Sequence, residues 1–103
     1  MGGKWLEILK EIAPRLDRVA VMQAVTDRSL EGFMREIGHA AIRLRVETTT
    51  ARVRNAADIE RRIEMLAREP NTGLVILPDG LMISQRELIV RLAAQSKLPT
   101  IYS

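Results

Sequence analysis

An α/β fold, a three-layer sandwich with a four-stranded parallel sheet between two helical layers, is the architecture this sequence predicts. The strongest warrant is the stretch from Gly73 to Gly80, an uninterrupted apolar run that stops at Pro78, Asp79 and Gly80 and leads straight into a helix. A strand that is apolar on both faces needs cover on both sides, which is the usual situation of a parallel strand. The second observation is alternation: helix-patterned and strand-patterned segments succeed one another along the whole chain, with short connections and no internal repeat or low-complexity segment. The third is size and composition. At 103 residues, 47% apolar and 28% charged, the chain is one domain with room for a single core.

The elements follow in order. Trp5, Ile8, Leu9 and Ile12 recur at i, i+3, i+4 and i+7, which gives an amphipathic first helix that Pro14 helps to end. Arg18 to Met22 is a short apolar run without a helical stripe, hence a first strand, and it gives way to polar Gln23, Thr26 and Asp27, of which the last two can cap a helix. That second helix carries Leu30, Phe33, Met34, Ile37 and Ala41 on one face. Leu44 to Val53 is rich in β-branched residues and partly alternates with charged ones, as suits a half-exposed edge strand. Asn55 reads as an N-cap, Ile59, Ile63, Leu66 and Ala67 as the stripe of a third helix, and Pro70 to Gly73 as its break. Beyond the buried strand and a loop from Asp79 to Ser84, Ser84 and Glu87 have the spacing of a capping box for a fourth helix with Leu88, Ile89 and Leu92 inward. Leu98 to Tyr102 is then a last short strand.

Right-handed crossovers place the first strand centrally, with the second on one side and the third and fourth on the other, order 2-1-3-4. In open sheets of this kind ligands sit outside the carboxyl ends of the strands, at the point where the order reverses. The loops from Gln23 to Asp27 and from Pro78 to Ile83 flank that point, with Tyr102 beside them.

Charge and composition exclude several classes. Sixteen basic against 13 acidic residues give a net charge of +3, but acids interleave with the bases on helices. Asp58 with Arg62, Glu64 with Arg68 and Glu87 with Arg91 have the favourable (i, i+4) order of solvated pairs. One Tyr, one Trp and one Phe supply no stacking platform, so no nucleic-acid partner is expected. Cysteine is absent, which removes disulfides and thiolate chemistry and fits cytoplasm and periplasm equally. No run is long enough to span a membrane, and Met1 to Glu7 is no signal peptide, so the chain as written is expected to be neither inserted nor exported.

Catalytic motifs are missing. His39, the single histidine, falls opposite the apolar stripe of its helix and near the helix C-terminus, where a solvated imidazole is at home. There is no glycine-rich dinucleotide turn, phosphate loop or nucleophile elbow. A phosphoacceptor reading of Asp79 fails at the first strand, where Met22, Gln23 and Ala24 stand in place of acidic metal ligands. Nucleotide and hydrolase readings thereby lose their best support, and neither cofactor nor metal is expected; a small flavodoxin-like enzyme stays as a third possibility, weakened by the missing phosphate loop. Asp79 reads equally as a turn residue after Pro78 and as a ligand contact. Met22, Met34 and Met65 read as core. Met82 either packs under its loop or faces a ligand, and Tyr102 either stacks on a ligand or covers the sheet.

Lys4 to Pro14 followed by Arg18 to Val21, then Val53 to Glu60, Leu74 to Asp79, Gln85 with Arg86, and Leu98 to Tyr102, together resemble one lobe of the ABC-transporter substrate-binding proteins related to tryptophan- and tyrosine-binding periplasmic proteins. The resemblance spans the whole chain. It implies a Rossmann-like, type I periplasmic-binding-protein lobe over residues 1–103, half of a two-lobed clamp that closes on a small solute and delivers it to a membrane permease. It also implies periplasmic localisation, while the opening residues leave the cytoplasm open.

In that family the loops at the carboxyl ends of the strands face the cleft. Carried over by position, the solute contacts would be Gln23, Thr26, Asp27, Pro78, Asp79, Gly80, Leu81 and Tyr102, with Ser103 beside the last. The helix begun at Ser84 would offer free N–H groups to a solute carboxylate. Two departures stand out: the loop after the first strand lacks the Asn-Pro common in the family, and the other lobe is missing on both sides of the sequence. One lobe alone is expected to bind solute weakly and to self-associate through apolar surface. A cytoplasmic effector-sensing or regulatory module built on the same lobe is the alternative.

Overall fold

A computed structural model describes residues 2–25, 31–77 and 80–102. Helix α1 (Gly2–Ile12) leads into strand β1 (Arg18–Ala24), followed by α2 (Glu31–Leu44), β2 (Glu47–Val53), α3 (Ala56–Ala67) and β3 (Thr72–Ile76). Two helices, α4 (Gly80–Ser84) and α5 (Arg86–Ser96), then precede β4 (Thr100–Tyr102). The strands form one sheet of order β2-β1-β3-β4, parallel throughout. Val21 pairs with Thr50 on one side and Val75 on the other, so β1 is hydrogen-bonded along both edges.

Alternation along the two central strands builds two cores. Val19 and Val21 of β1 point with Val75 and Leu77 toward α1 and α2, where they meet Leu6, Leu9, Ile37, Ala40 and Ala41. Ala20 and Met22 point with Leu74 and Ile76 the other way, onto Ile59 and Ile63 of α3, Met82 of α4 and Ile89 of α5. Every residue of β3 is buried. Met82 thus packs against the sheet, as one of the two sequence readings has it.

Several sequence expectations shift. The buried stripe of α1 is Leu6 and Leu9, while Ile12 is 63% exposed, because the helix presents the face of Leu6 and Leu9 to the sheet and Ile12 lies off that face in the last turn. β1 runs to Ala24, so Gln23 belongs to a strand rather than a loop. Leu44 closes α2 instead of opening β2, and β2 is an edge strand whose residues are mostly exposed. On α3, Ala67 is exposed and Met65 is 54% exposed, because Ile59 and Ile63 fill the line of contact. Asp58 pairs with Arg61, one turn away at 3.3 Å, rather than with Arg62. Leu30 lies outside the described residues, as does the side chain of Phe33.

The capping box at Ser84 is not formed. Residues 80–84 are helical, Ser84 Oγ donates to the Leu81 carbonyl at 2.9 Å, and Gln85 takes the cap position of α5 without a side-chain hydrogen bond. The Gln85 N–H donates to Leu81 O, so the helix expected to begin at Ser84 begins instead at Arg86. At α3 the cap is as expected, with Asn55 Oδ1 accepting the Asp58 N–H at 2.9 Å.

The amino end of the sheet is tightly fastened. Arg18 bonds Glu69 at 3.0 Å and lies 3.7 Å from Glu47; the Glu69 hydrogen bond and the surrounding carboxylates raise its pKa further above the physiological range. The Lys10 ammonium donates to the Leu16 carbonyl, and Arg43 of α2 bonds Glu7 of α1 at 3.0 Å. A Cβ on Gly73 would come 2.8 Å from Leu16 Cδ1, so any larger residue there would require the Leu16 side chain to shift. The three connections from a helix into β2, β3 and β4 each turn on a left-handed residue, Arg45, Asn71 and Lys97, and none of them is glycine.

The stripe of α1 makes a direct contrast. Leu6→Ala should cost roughly 2–4 kcal/mol of unfolding free energy, through lost transfer energy and a residual cavity. Ile12→Ala should stay within about 0.5 kcal/mol, as for other exposed positions. Urea unfolding of the two variants checks both values.

Candidate functional site at the carboxyl ends of the strands

The order reversal between β1 and its neighbours β2 and β3 fixes where a site can be built, because the connections leaving β1 and β3 diverge to opposite faces. Met22 pairs with Ile76, and Ile76 with Tyr102, so these three residues form a row across the sheet just inside its carboxyl rim. The Leu77 N–H donates to Met22 O at 3.2 Å and prolongs the β1–β3 pairing by one residue.

Gln23 stands one position beyond Met22 and is 4% exposed. With Thr72 it is one of two buried polar residues among those described. Thr72, at the amino end, donates its hydroxyl to Pro70 O at 3.3 Å and is accounted for by its turn. Gln23, at the opposite end, places an amide at the rim, on the face that Val21 shares with α1 and α2.

Tyr102 ends β4 on the other face, half-buried against the α3–α5 core. Arg86, in the first turn of α5, holds its guanidinium 6.0 Å from the centre of the Tyr102 ring, at the outer limit of a cation–π contact. Burial pushes the Tyr102 phenol above its ordinary pKa of 10, and Arg86 only partly offsets this. The hydroxyl is therefore a neutral donor throughout the physiological range. Tyr102 and Arg86 border a small apolar recess, about 40 Å³, with Ile76, Leu77, Met82, Ile83 and Ile89. Leu81 is half-buried against the same core, and Gly80 is exposed at the start of α4.

Of the positions the sequence nominated, Gln23, Gly80, Leu81 and Tyr102 therefore lie along the carboxyl rim. Gln23 is separated from Tyr102 by the thickness of the sheet. Thr26, Asp27, Pro78, Asp79 and Ser103 lie outside the described residues. Arg86 and Ile83 escaped the sequence reading as site residues. Their signal was spacing: Met82, Ile83 and Arg86 share a helical face only if the helix begins at Gly80. Among the described residues no helix is long and apolar enough to cross a membrane, and no group of three acidic, histidine or cysteine side chains could hold a metal.

Neither a protein-family model nor a curated protein matches the sequence. Solved structures do. The chain superposes with a TM-score of 0.84 on the ABC domain from Streptococcus pneumoniae solved in complex with L-Trp, at 15% identity, over 99% of this chain and 34% of that one. A substrate-binding protein with adhesive properties from Clostridium difficile, in its ligand-free, open form, matches with a TM-score of 0.81 at 20% identity, over 96% of this chain and 33% of that one. The fold is that of one lobe of a periplasmic binding protein. A conserved domain protein from Vibrio cholerae gives the same result, with a TM-score of 0.80 at 20% identity over 98% of this chain and 34% of its own. The chain thus spans about one third of the length of each structure it matches.

Gly80 supplies a test of how the rim is built. None of the described glycines has a positive φ, and a Cβ at Gly80 would meet nothing within 4 Å. Fold alone does not require glycine there. Gly80→Ala should raise unfolding free energy by about 0.4–1 kcal/mol by restricting the unfolded chain, measured by thermal or urea denaturation.

Proposed function

We propose that this chain is the solute-binding lobe of an ABC-importer substrate-binding protein and recognises a small molecule, an amino acid by preference, without catalysis. The observation that carries this reading is the carboxyl rim itself: a buried amide at Gln23 and a guanidinium–phenol pair at Arg86 and Tyr102, set on a sheet with a binding-protein fold. A zwitterionic solute needs such groups, since a guanidinium suits a carboxylate and an amide oxygen accepts from an ammonium. The shallow recess beside Tyr102 offers a solute side chain an apolar surface to lie on. Gly80 at the start of α4 lets the solute approach the backbone closely. Thr26, Asp27, Pro78, Asp79 and Leu81 complete the proposed contacts.

In this reading the second wall of the cleft comes from another lobe, closure is a hinge motion, and the closed clamp hands solute to a membrane permease. The chemistry is recognition and release. The work would be done outside the cytoplasm, where such clamps collect solute.

Calorimetry with the 103-residue chain against aromatic and branched amino acids tests the half-site. Binding should be absent or weak, because half the contacts belong to the other wall; a Kd tighter than about 1 µM would overturn the claim. Exposed apolar side chains at Ile12, Ile42, Ile83 and Val90 favour self-association. Light scattering should show the mass rising with concentration, and a constant monomer mass would count against it.

A further inference from the structure

The edge strand β2 treats its arginine neighbours differently at its two ends. At the amino end Arg18 is held between Glu47 and Glu69. At the carboxyl end Arg52, Arg54, Arg61 and Arg62 line a cleft of about 540 Å³, together with Val25, Met65 and a single carboxylate, Asp58. That carboxylate is already in use. Its Oδ2 accepts the Arg54 backbone N–H at 3.0 Å, and its Oδ1 accepts from Arg61 Nη2 at 3.3 Å. The guanidinium groups of Arg52, Arg54 and Arg62 form no ion pair among the described residues.

We propose that this cleft is a second binding site, taking a compact multivalent oxyanion in which two or more phosphate or carboxylate groups lie close together. The argument is electrostatic and geometric. Three arginines without an ion pair among the described residues line one cleft, and an anion placed among their guanidiniums turns mutual repulsion into attraction. Guanidinium forks bind phosphate and carboxylate oxygens two at a time, and they stay charged at all accessible pH values. The positions are set by rigid elements rather than loops alone: Arg52 lies in β2, paired in register with Gln23, and Arg61 and Arg62 lie in α3. Val25 and the exposed Met65 give the cleft an apolar side.

The shape favours a small ligand over a nucleic acid. The cationic groups surround a single cleft instead of tracking along a surface, and no aromatic residue lines it for a base to stack on. Its volume lies within the range of small-molecule sites. This site depends on neither Arg86 nor Tyr102 and is independent of the solute reading above.

The test is a titration of the isotopically labelled full chain with inorganic pyrophosphate and, in parallel, with citrate, followed by backbone and arginine Nε–H NMR shifts at constant ionic strength. Saturable shifts confined to residues 52–65 and Val25 support the site, and the tighter of the two ligands identifies the source of the oxyanion. Arg52→Gln with Arg62→Gln should weaken binding roughly tenfold, the loss of two charged contacts at a surface site, whereas Arg91→Gln should leave it unchanged. Arg52→Lys with Arg62→Lys keeps the charge, preserves any structural role and should bind at an intermediate level. Linear shifts without saturation, equal binding by the Gln double variant with unchanged chain dispersion, or tighter binding of a short DNA duplex with shifts spread over all basic residues would each overturn it.

Discussion

Burial of the β1–β3 strand pair on both faces is the constraint on which the rest of this molecule depends. Each residue of these strands must enter one of two separate cores, so a one-residue slip would exchange Val19, Val21, Val75 and Leu77 with Ala20, Met22, Leu74 and Ile76. The exchange would set Ala20 and Met22 where Val19 and Val21 pack, so neither helical layer would meet the side-chain shapes it fits. Register is therefore fixed by shape as well as by hydrogen bonding. Once it is fixed, the row Met22, Ile76, Tyr102 is aligned, and the rim above it has a defined geometry.

The two ends of the sheet divide the work. At the amino end charges are matched, polar groups are satisfied locally, and Gly73 permits a close approach between Leu16 and the sheet. At the carboxyl end Arg86 lies over the Tyr102 ring, and Arg52, Arg54 and Arg62 form no ion pair among the described residues. Among the described residues, charge is thus paired at one end of the sheet and left to water at the other. An open charge costs little in water, and its worth appears only when a partner removes the water.

The architecture was legible because it rests on patterns of several residues. The apolar run before Pro78 and the strict alternation of helix and strand led to the order 2-1-3-4, and Asn55 was recognisable as a cap because its chemistry is local. Boundaries and rotations were less legible. Ile12 fits the helical period as well as Leu6 does, and only the position of the sheet decides between them. Ser84 has the spacing of a capping box, yet the chain becomes helical at Gly80, and its hydroxyl bonds back to Leu81 instead. The candidate site suffered most from this error. Reading residues 79–84 as a loop hid the face on which Met82, Ile83 and Arg86 come together, and ending β1 at Met22 made Gln23 a loop residue rather than a buried one at a strand end.

Arg45, Asn71 and Lys97 occupy the left-handed region in three successive helix-to-strand turns, all at the amino end. For Arg45 and Lys97 that conformation carries a penalty of order 1 kcal/mol each, whereas asparagine, as at position 71, adopts it more readily. These turns therefore hold a reserve that the fold has not drawn on, and it sits as far from the recognition rim as the sheet allows. A lineage that replaced them with glycine would gain stability to set against destabilising changes at the rim. The chain could thus acquire new ligand preferences without a matching loss of foldedness, which makes the amino end a seat of evolvability rather than of function.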